Sequence, residues 1–428
     1  MGKPFERTLA VTSGLSMLAE AMKENPPPAL EPYGDLVWLM LKDMVVHYEE
    51  VAAAMADPGR KVAMIQFGLM PQLFYAFDCA PLSLEFYPPF FSGLDQNVIR
   101  EFLESAEEAG VPPETCSTDR FIAGAALNDE LPSNSLFATS SCPCDGTRIA
   151  YPIMQEILEC PAIYLDAPFR HGRDAVRYYA GQLRDNLIPF LEEATGRKFD
   201  IDRFRETVVE SNKAFECMLE INETYRLKPM PYSGYLRMMP FMRYIQAAGS
   251  PRATEVLQRF RDDALQRVRD GRTRGPFEEK HRVLWVHVPT IYDPSIFEWM
   301  EEELGAMVVA HLSVPVILDP IDTSTLDTML EGIAWQGLDM TMSVQRVETE
   351  TFLDWFFWAY DHYDADCLFV TQHVGCQSIC GARGMIEKAC REREVAVLFL
   401  ELDYNDTRVL SPEQARIQIE VFFETVMA

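Results

Sequence analysis

The sequence lacks several features that would assign it to a large class of proteins. No window approaches eighteen uninterrupted apolar residues, and the N-terminus has no basic-then-apolar signal pattern. Positive charge is also scarce, since 38 Lys and Arg residues stand against 66 Asp and Glu residues, for a formal net charge of −28. Such a charge repels phosphate backbones and anionic lipid surfaces. We therefore expect a soluble, cytoplasmic protein that binds neither nucleic acid nor membrane.

Familiar catalytic motifs are absent too. There is no GxxxxGK[ST] phosphate loop, which argues against ATP hydrolysis through that motif, and there is no HExxH, no GxSxG and no GxGxxG after a strand. A radical-type CxxxCxxC motif is excluded, because the position that follows Cys376 and Cys380 at the required spacing is Arg383. None of these motifs therefore accounts for a function of the chain, and another residue type is expected to carry it.

Cysteine is that residue type, with ten in the chain. Disulfides are disfavoured in a reducing compartment, so surplus thiols indicate metal binding or catalysis. Four of them fall within helical or strand patterns and are expected to be buried apolar residues: Cys160, Cys217, Cys367 and Cys390. The other six are Cys79, Cys116, Cys142, Cys144, Cys376 and Cys380.

The stretch around Cys376 predicts a buried strand that runs into a loop and then a helix. Residues 367–372 are apolar or β-branched in large part, and Gly375 precedes the cysteine. Loops at the carboxyl ends of parallel strands are where open α/β sheets hold ligands. A position near a helix N-terminus is expected to favour the thiolate of Cys376.

A second stretch repeats this pattern. Setting Thr139 on Thr371 places Cys144 on Cys376, since each cysteine follows its threonine by five residues. Both units continue into a predicted helix and then an apolar strand, at 162–166 and 395–400. We therefore predict an α/β protein with two doubly wound, flavodoxin-like halves related by an internal repeat, together with helical segments. If the halves face one another, their thiolates converge.

The coarse organisation follows from composition and periodicity. We predict an N-terminal helical segment at 1–60, a first α/β domain at 61–170, a helical region and connector at 171–280, and a second α/β domain at 281–428. Residues 227–249 are predicted to be irregular and rich in methionine, which suits either a pocket wall or plain core. A short strand is expected near 82–85, and a capping box at Ser411–Gln414 is expected to begin the last helix.

An iron–sulfur cluster fits scattered strand-end thiols better than zinc does. Structural zinc uses closely paired ligands, and the spacings around Cys144 and Cys376 are looser than that. Cys116, Cys144 and Cys376 would supply three ligands of a cubane, and three leave one iron open to a substrate. Free thiols in the core or in loops remain an alternative.

At these residues the sequence resembles a known family, the iron–sulfur subunits of 2-hydroxyacyl-CoA dehydratases and class I benzoyl-CoA reductases, which includes double-cubane cluster proteins. The resemblance extends over most of the chain. The motifs that carry it are Pro71 to Asp78, Thr115-Cys116-Ser117, Cys144 to Arg148, His373-Val374-Gly375-Cys376, Leu400 to Asp406, and Ser411 to Gln414.

The resemblance implies a [4Fe–4S] cluster held by Cys116, Cys144 and Cys376. It also implies an acyl-CoA substrate, a homologous second subunit in a heterodimer or homodimer, and a separate ATP-dependent iron–sulfur activator that delivers one electron. In the dehydratases that electron makes a ketyl radical of the thioester, which acidifies the β-proton and lets the α-hydroxyl leave. The implied product is a 2-enoyl-CoA.

Three extra cysteines leave a second interpretation open. Cys79, Cys142 and Cys380, together with the first three, would make six ligands, which is enough for a double-cubane [8Fe–9S] cluster of a reductase in the same family. A benzoyl-CoA reductase-type subunit and a non-catalytic electron-relay subunit are further alternatives. The sequence identifies no catalytic acid or base.

Overall fold

The computed structural model describes residues 5–25, 33, 35–92, 95–144, 146–275, 277–311, 319–344, 346, 348–403 and 405–427. Within them are two parallel β-sheets of four strands each. The first sheet has the order β2-β1-β3-β4, built from β1 (Val62–Ile65), β2 (Ala80–Ser83), β3 (Ser135–Ser140) and β4 (Ala162–Leu165). The second has the order β6-β5-β7-β8, built from β5 (His281–Val286), β6 (Ala306–Ala310), β7 (Cys367–His373) and β8 (Ala396–Leu402).

Helices precede, cover and connect the sheets. Seven accompany the first sheet: α1 (Glu6–Glu24), α2 (Asp35–Ala56), α3 (Gln72–Ala76), α4 (Tyr87–Ser92), α5 (Gln96–Glu108), α6 (Ser117–Leu127) and α7 (Thr147–Leu158). Five link the sheets: α8 (Arg173–Gln182), α9 (Ile188–Thr195), α10 (Ile201–Thr224), α11 (Gly234–Ala247) and α12 (Pro251–Asp270). Six accompany the second sheet: α13 (Ser295–Trp299), α14 (Leu326–Leu338), α15 (Thr341–Val344), α16 (Thr349–His362), α17 (Gln377–Glu392) and α18 (Pro412–Thr425).

The central strands are buried along almost their whole length. Every residue of β1, β3 and β7 is buried, whereas the edge strands β4 and β8 are partly exposed. Strands covered on both faces carry continuous apolar or β-branched runs, which is the pattern that identified β7 in the sequence. The chain after these strands leaves the sheet at its carboxyl edge, where the cysteine loops begin.

The two sheets share one strand order, and β3 and β7 occupy equivalent places in it. Thr139 pairs with Tyr164 of β4, and Thr371 pairs with Leu400 of β8, which matches the sequence alignment of the two cysteine units. The following helices differ in their start, because α17 begins directly after Cys376 whereas α7 begins at Thr147, three residues after Cys144. The α/β class is confirmed, and the flavodoxin-like internal repeat stays a prediction.

One hydrophobic cluster joins the sheets. It contains Ile65 and Ala138 of the first sheet together with Trp285 and Phe369 of the second. The strands fall within the predicted α/β ranges 61–170 and 281–428, but the shared core means that the four domain boundaries stay predictions. In the described residues, no helix is both long enough and apolar enough to cross a membrane.

Two local predictions differ from the structure. Residues 227–249 are not irregular throughout, because α11 occupies Gly234–Ala247 with Pro240 inside it. The strand expected near 82–85 is β2, two residues earlier, and a 3₁₀ turn follows at Leu84–Phe86. Residues 26–28, three consecutive prolines within the predicted N-terminal helical segment, lie outside the described residues.

Candidate metal centre

Cys376 caps the start of α17 directly after β7. The strand ends at His373, and the backbone N–H of Cys376 donates to the carbonyl oxygen of His373 at 2.9 Å, which closes a turn through Gly375. Burial raises the pKa of the Cys376 thiol to about 11, although the backbone N–H of Ile379 opposes it. The N–H of the first helical turn thus favours the thiolate, as expected from the sequence, but desolvation outweighs it in the metal-free chain.

Cys144 lies in the equivalent loop after β3. Its carbonyl oxygen accepts a hydrogen bond from Thr147 Oγ1 at 2.7 Å, which ties the loop to the first residue of α7. Burial raises the pKa of the Cys144 thiol well above its usual range, and the nearby Asp119, Cys116, Glu85 and Cys376 raise it further. The same electrostatic neighbours place Cys144 close to both of the other predicted ligands.

Cys116 occupies the N-cap position of α6. Its Sγ atom lies 3.2 Å from Nε2 of His373, the last residue of β7. A residue of the first sheet's loops thus contacts the end of the second sheet's central strand.

Two close backbone approaches bring the three cysteine loops together. A Cβ atom on Gly375 would lie 2.7 Å from the backbone nitrogen of Cys116, and Gly375 has a φ of +90° that favours glycine. A Cβ atom on Gly146 would lie 2.0 Å from Asp119 Oδ2 and 3.5 Å from Cβ of Cys116. The loops of Cys144 and Cys376 therefore both pack against the start of α6.

A cavity of about 60 Å³ opens beside these loops, and we call it the cysteine cavity. Cys116 and Cys144 contribute to its lining. Its other described lining residues are mainly apolar and come from α11 and from the loops, turns and helices next to both sheets: Phe67, Glu85, Phe86, Pro89, Thr118, Asp119, Met238, Phe241, Met242, Val288, Ile291 and Met342. The thiols thus face a largely apolar space.

Two carboxyl groups line this cavity. Glu85 accepts hydrogen bonds from the backbone N–H of Phe67 at 2.7 Å and from the hydroxyl of Tyr151, and burial raises the pKa of Glu85 to about 7. Asp119 is 2% exposed, and its Oδ1 atom has no hydrogen-bond partner among the described residues. Burial also raises the pKa of Asp119 well above its usual range. The described lining of the cavity therefore collects acidic groups and no Lys or Arg side chain.

The start of α6 is held by the segment that follows β8. Ser117 Oγ donates to Asp403 Oδ1 at 2.5 Å, and Asn405 Nδ2 donates to Ser117 Oγ at 3.2 Å and to Thr118 Oγ1 at 3.0 Å. Asp403 Oδ2 also lies 3.8 Å from Nδ1 of His373. Two motifs that are far apart in sequence, 115–117 and 400–406, are therefore one hydrogen-bonded unit.

The remaining candidate cysteines lie apart from the cavity lining. Cys79 and Cys142 belong to the hydrophobic core, at 1% and 5% exposure, and burial raises the pKa of Cys79 to about 12. Cys380 is exposed, and its thiol donates to the carbonyl oxygen of His373 at 3.3 Å, so it lies near Cys376. Among the residues expected to be packing, Cys217, Cys367 and Cys390 are buried, and Cys160 is half-buried.

Thiols are the donor groups that the predicted iron–sulfur cluster would need. Among the described residues, no three His, Cys, Asp or Glu side chains converge closely enough to hold one metal ion. The thiolates of a cubane each bind a different iron, so they surround a volume and need not meet at a point. Cys116, Cys144 and Cys376, on three loops that abut beside a cavity, have that arrangement.

Sequence analysis missed Glu85, Asp119 and the helical wall of the cavity. Glu85 follows a short strand and carries no motif, because its role depends on Tyr151 and on the backbone of Phe67. The sequence did contain a signal for Asp119. This residue lies three positions after Cys116, in the first turn of the helix that Cys116 precedes, so the two side chains are expected to be neighbours.

Comparisons with known proteins place these features in a family. A sequence profile described as "2-hydroxyglutaryl-CoA dehydratase, D-component" matches residues 70–426. The chain is 31% identical over 144 residues to the alpha subunit of (R)-2-hydroxyglutaryl-CoA dehydratase from Acidaminococcus fermentans, which covers 31% of the chain and 30% of that protein. It is 23% identical over 344 residues to one of the subunits of benzoyl-CoA reductase from Thauera aromatica, covering 75% of the chain and 78% of that protein.

A third relative is the (R)-phenyllactyl-CoA dehydratase alpha subunit of Clostridium sporogenes, which is 25% identical over 191 residues, or 42% of the chain and 47% of that protein. The matches to both dehydratase subunits thus span less than half of those proteins. The family profile, by contrast, extends over most of the chain and includes all three cysteines of the candidate centre. The chain therefore belongs to the family of the 2-hydroxyglutaryl-CoA dehydratase D-component.

Proposed function

We propose that the chain is the iron–sulfur subunit of a 2-hydroxyacyl-CoA dehydratase-type enzyme, with a [4Fe–4S] cluster held by Cys116, Cys144 and Cys376. The observation that carries the proposal is the packing of the Cys144 and Cys376 loops against the start of α6, which Cys116 caps. Family membership supports the same conclusion. The proposed reaction converts a 2-hydroxyacyl-CoA to a 2-enoyl-CoA with loss of water.

When bound, the cluster would supply a low-potential electron to the substrate thioester, and its three thiolate ligands would leave one iron open. The thiols of Cys144 and Cys376 lie in a site that disfavours their charged form. Coordination to a metal removes a thiol proton outright, so iron binding compensates for the burial of these groups.

The residues of the cavity then have distinct tasks. Glu85 carries a carboxyl group whose pKa of about 7 suits both the acceptance and the return of a proton near neutral pH. The N–H of Phe67 and the hydroxyl of Tyr151 fix its orientation. Side chains such as Met238 and Phe241 exclude water from the reacting atoms.

The proposal includes two protein partners. One is a homologous second subunit, in a heterodimer or homodimer, which the names of the relatives support because each is called a subunit of its enzyme. The other is an ATP-dependent iron–sulfur activator that delivers the electron. The chain itself lacks a GxxxxGK[ST] motif, so ATP would be used by the activator.

We infer also that the two cysteine units are halves of an internal repeat. The shared strand order and the equivalent pairing of Thr139 and Thr371 support this. In each half, the strand-end loop would then contribute one ligand, Cys144 or Cys376, and Cys116 would be the added third.

A reductase is the second candidate, and a specific observation favours it. The alignment with the benzoyl-CoA reductase of Thauera aromatica covers 75% of the chain, far more than the alignment with the 2-hydroxyglutaryl-CoA dehydratase. A double-cubane cluster with Cys79, Cys142 and Cys380 as extra ligands has less support, because Cys79 and Cys142 pack in the hydrophobic core. A non-catalytic electron-relay subunit would hold a cluster and bind no thioester.

Iron and sulfide counting after anaerobic purification tests these alternatives. The proposal predicts about four irons per chain, the double-cubane alternative predicts about eight, and free thiols predict none. Incubation of the complete enzyme with a 2-hydroxyacyl-CoA, activator and ATP should then yield the 2-enoyl-CoA. Reduction of an aryl-CoA ring in place of dehydration would support the reductase. A colourless, iron-free protein with full dehydratase activity would contradict the proposal.

A further inference from the structure

The walls of the cysteine cavity indicate which acyl group it accepts. Met238, Phe241 and Met242 stand at positions i, i+3 and i+4 of α11, and all three line the cavity. Residues with this spacing share one face of a helix. One side of the cavity is therefore a continuous apolar surface of a single helix.

Apolar residues outside α11 also line the cavity. Val288 and Ile291 follow β5, and Met342 belongs to α15. Methionine is unbranched and flexible, so a cavity lined by Met238, Met242 and Met342 adapts its shape to different apolar groups. Such a surface binds by exclusion of water and supplies no hydrogen bond to a polar acyl terminus.

The ionisable side chains of the described lining are acids and thiols. They include the carboxyl groups of Glu85 and Asp119 and include no Lys, Arg or His. A carboxylate on the far end of an acyl group would thus find no counter-ion in these walls. Transfer of an unpaired carboxylate from water into such a site is unfavourable.

The two arginines of α11 contact residues that do not line the cavity. Arg237 lies over the ring of Tyr363, at 4.3 Å from the ring centroid, and Arg243 forms an ion pair with Asp43. Arg346, beyond α15, donates to the carbonyl oxygen of Ala167 at 3.2 Å. These three guanidinium groups are buried, and none of them belongs to the described lining of the cavity.

We propose that the cysteine cavity selects a 2-hydroxyacyl thioester whose acyl group is apolar and uncharged at its far end, and that it rejects dicarboxylic acyl groups. This rests on the proposed function, since it assumes that the acyl group lies beside Cys116 and Cys144. Family membership does not decide between an apolar and a dicarboxylic acyl group, because one relative is named for the dicarboxylic 2-hydroxyglutaryl group and another for the aromatic phenyllactyl group.

A matched pair of thioesters tests the inference by binding, without turnover. The probes are 2-hydroxyhexanoyl-CoA and 2-hydroxyadipoyl-CoA, which share a six-carbon chain and differ in a terminal methyl or carboxylate. Free CoA is the reference for the binding energy that the CoA part of each probe contributes. Titration calorimetry of the anaerobically purified, cluster-loaded full chain with its partner subunit should give at least about tenfold tighter binding of the hexanoyl thioester, from a difference of about 1.4 kcal/mol or more.

A charge placed on the wall should reverse this preference. Met242→Lys adds a cation beside the acyl site at a partly buried position, so it should weaken hexanoyl binding and strengthen adipoyl binding. Met17→Lys, at a residue 71% exposed on α1, is the matched control and should leave the ratio unchanged. Ile291→Lys is a second wall variant in case Met242→Lys fails to fold.

The outcomes separate the two proposals. Equal or tighter binding of the adipoyl thioester by the unaltered protein would overturn the acyl-group inference and leave the proposed function standing. If both thioesters bind no better than free CoA, the acyl group lies outside the cavity. That result would also overturn the acyl-group inference and leave the proposed function standing. Failure of every thioester and of CoA to bind would overturn the proposed function itself.

Discussion

The Nε2 atom of His373 lies 3.2 Å from the Sγ atom of Cys116. Burial lowers the pKa of His373 below its ordinary value, which favours the neutral imidazole. In the tautomer that carries its proton on Nε2, the ring donates a hydrogen bond to Sγ of Cys116, a cluster ligand under the proposed function. Hydrogen bonds to the ligand sulfurs tune the potential of an iron–sulfur site.

His373→Asn should therefore lower the reduction potential of the cluster. Without the donor, more negative charge stays on the Cys116 sulfur and an added electron is less stable. A potentiometric titration followed by electron paramagnetic resonance measures the shift. His362→Asn is the control, because His362 bonds to Glu223 at 2.9 Å and does not line the cavity. An unchanged potential in His373→Asn would exclude this role.

Gly375→Ala should reduce the iron content of the purified chain. The added methyl group would lie 2.7 Å from the backbone nitrogen of Cys116, and the φ of +90° would strain any residue with a Cβ atom. Gly381→Ala is the control on α17, since nothing lies within 4 Å of its added methyl. That variant should keep its iron and gain up to about 1 kcal/mol in unfolding free energy, measured by denaturant titration. Full iron retention by Gly375→Ala would argue against close packing of the two loops.

Serine at Cys116, Cys144 or Cys376 should abolish iron binding or reduce it strongly. A serine hydroxyl is a harder and much less acidic ligand than a thiol, so it holds iron poorly. Serine at Cys160, Cys217 or Cys390 should lower the stability of the fold through poorer packing and leave the iron content unchanged. Retention of iron and activity by Cys376→Ser would contradict every cluster proposal made above.

Cys142→Ser and Cys380→Ser discriminate one cubane from two. We expect both variants to keep about four irons and full activity, because Cys142 packs in the hydrophobic core and Cys380 is exposed on α17. Cys79→Ser should behave in the same way apart from a loss of core stability, since Cys79 is 1% exposed. Loss of roughly half of an eight-iron content in each variant would instead establish the double cubane.

Glu85→Gln should retain the cluster and lose turnover by about 10²–10⁴-fold, the usual contribution of a general acid–base group. If the ionised form accepts the proton, the rate of the unaltered enzyme should fall about tenfold for each pH unit below 7 and level off above it. Glu301→Gln is the matched control. Its carboxyl is also buried with a pKa of about 7, but it bonds to Ser233 and Arg274 away from the cavity. A pH profile that Glu85→Gln leaves unaltered would remove Glu85 from the mechanism.

Features governed by local sequence were predictable. The capping box at Ser411 forms as expected, with Gln414 N–H donating to Ser411 Oγ at 3.3 Å. The five-residue spacing from Thr139 to Cys144 and from Thr371 to Cys376 identified two strand-end loops that both approach Cys116. Spacing succeeds here because a buried parallel strand fixes where its following loop begins.

Features governed by tertiary contacts were not predictable. Nearby prolines made α11 resemble an irregular segment, yet the helix continues through Pro240 because its apolar face packs against the sheet and the cavity. At Gly234, a Cβ atom would lie 2.6 Å from the carbonyl oxygen of Val308 in β6, a restraint that no local pattern contains. The hydrogen bonds of Glu85 likewise depend on residues 67 and 151, which lie on other elements.

The hydrogen bond from Ser117 to Asp403 has a consequence for the order in which the centre is completed during synthesis. Cys116 and Cys144 are translated with the first sheet, Cys376 follows with β7, and Asp403 comes after β8. A nascent chain generally folds from its N-terminal side. Under the proposed ligand set, the first sheet would then fold while only two of the three thiols are present and before His373 is available to contact Cys116. Iron delivered to that intermediate would meet an incomplete site. Under that ligand set, cluster insertion would follow release of the finished chain, when the residues beyond β8 fix the start of α6.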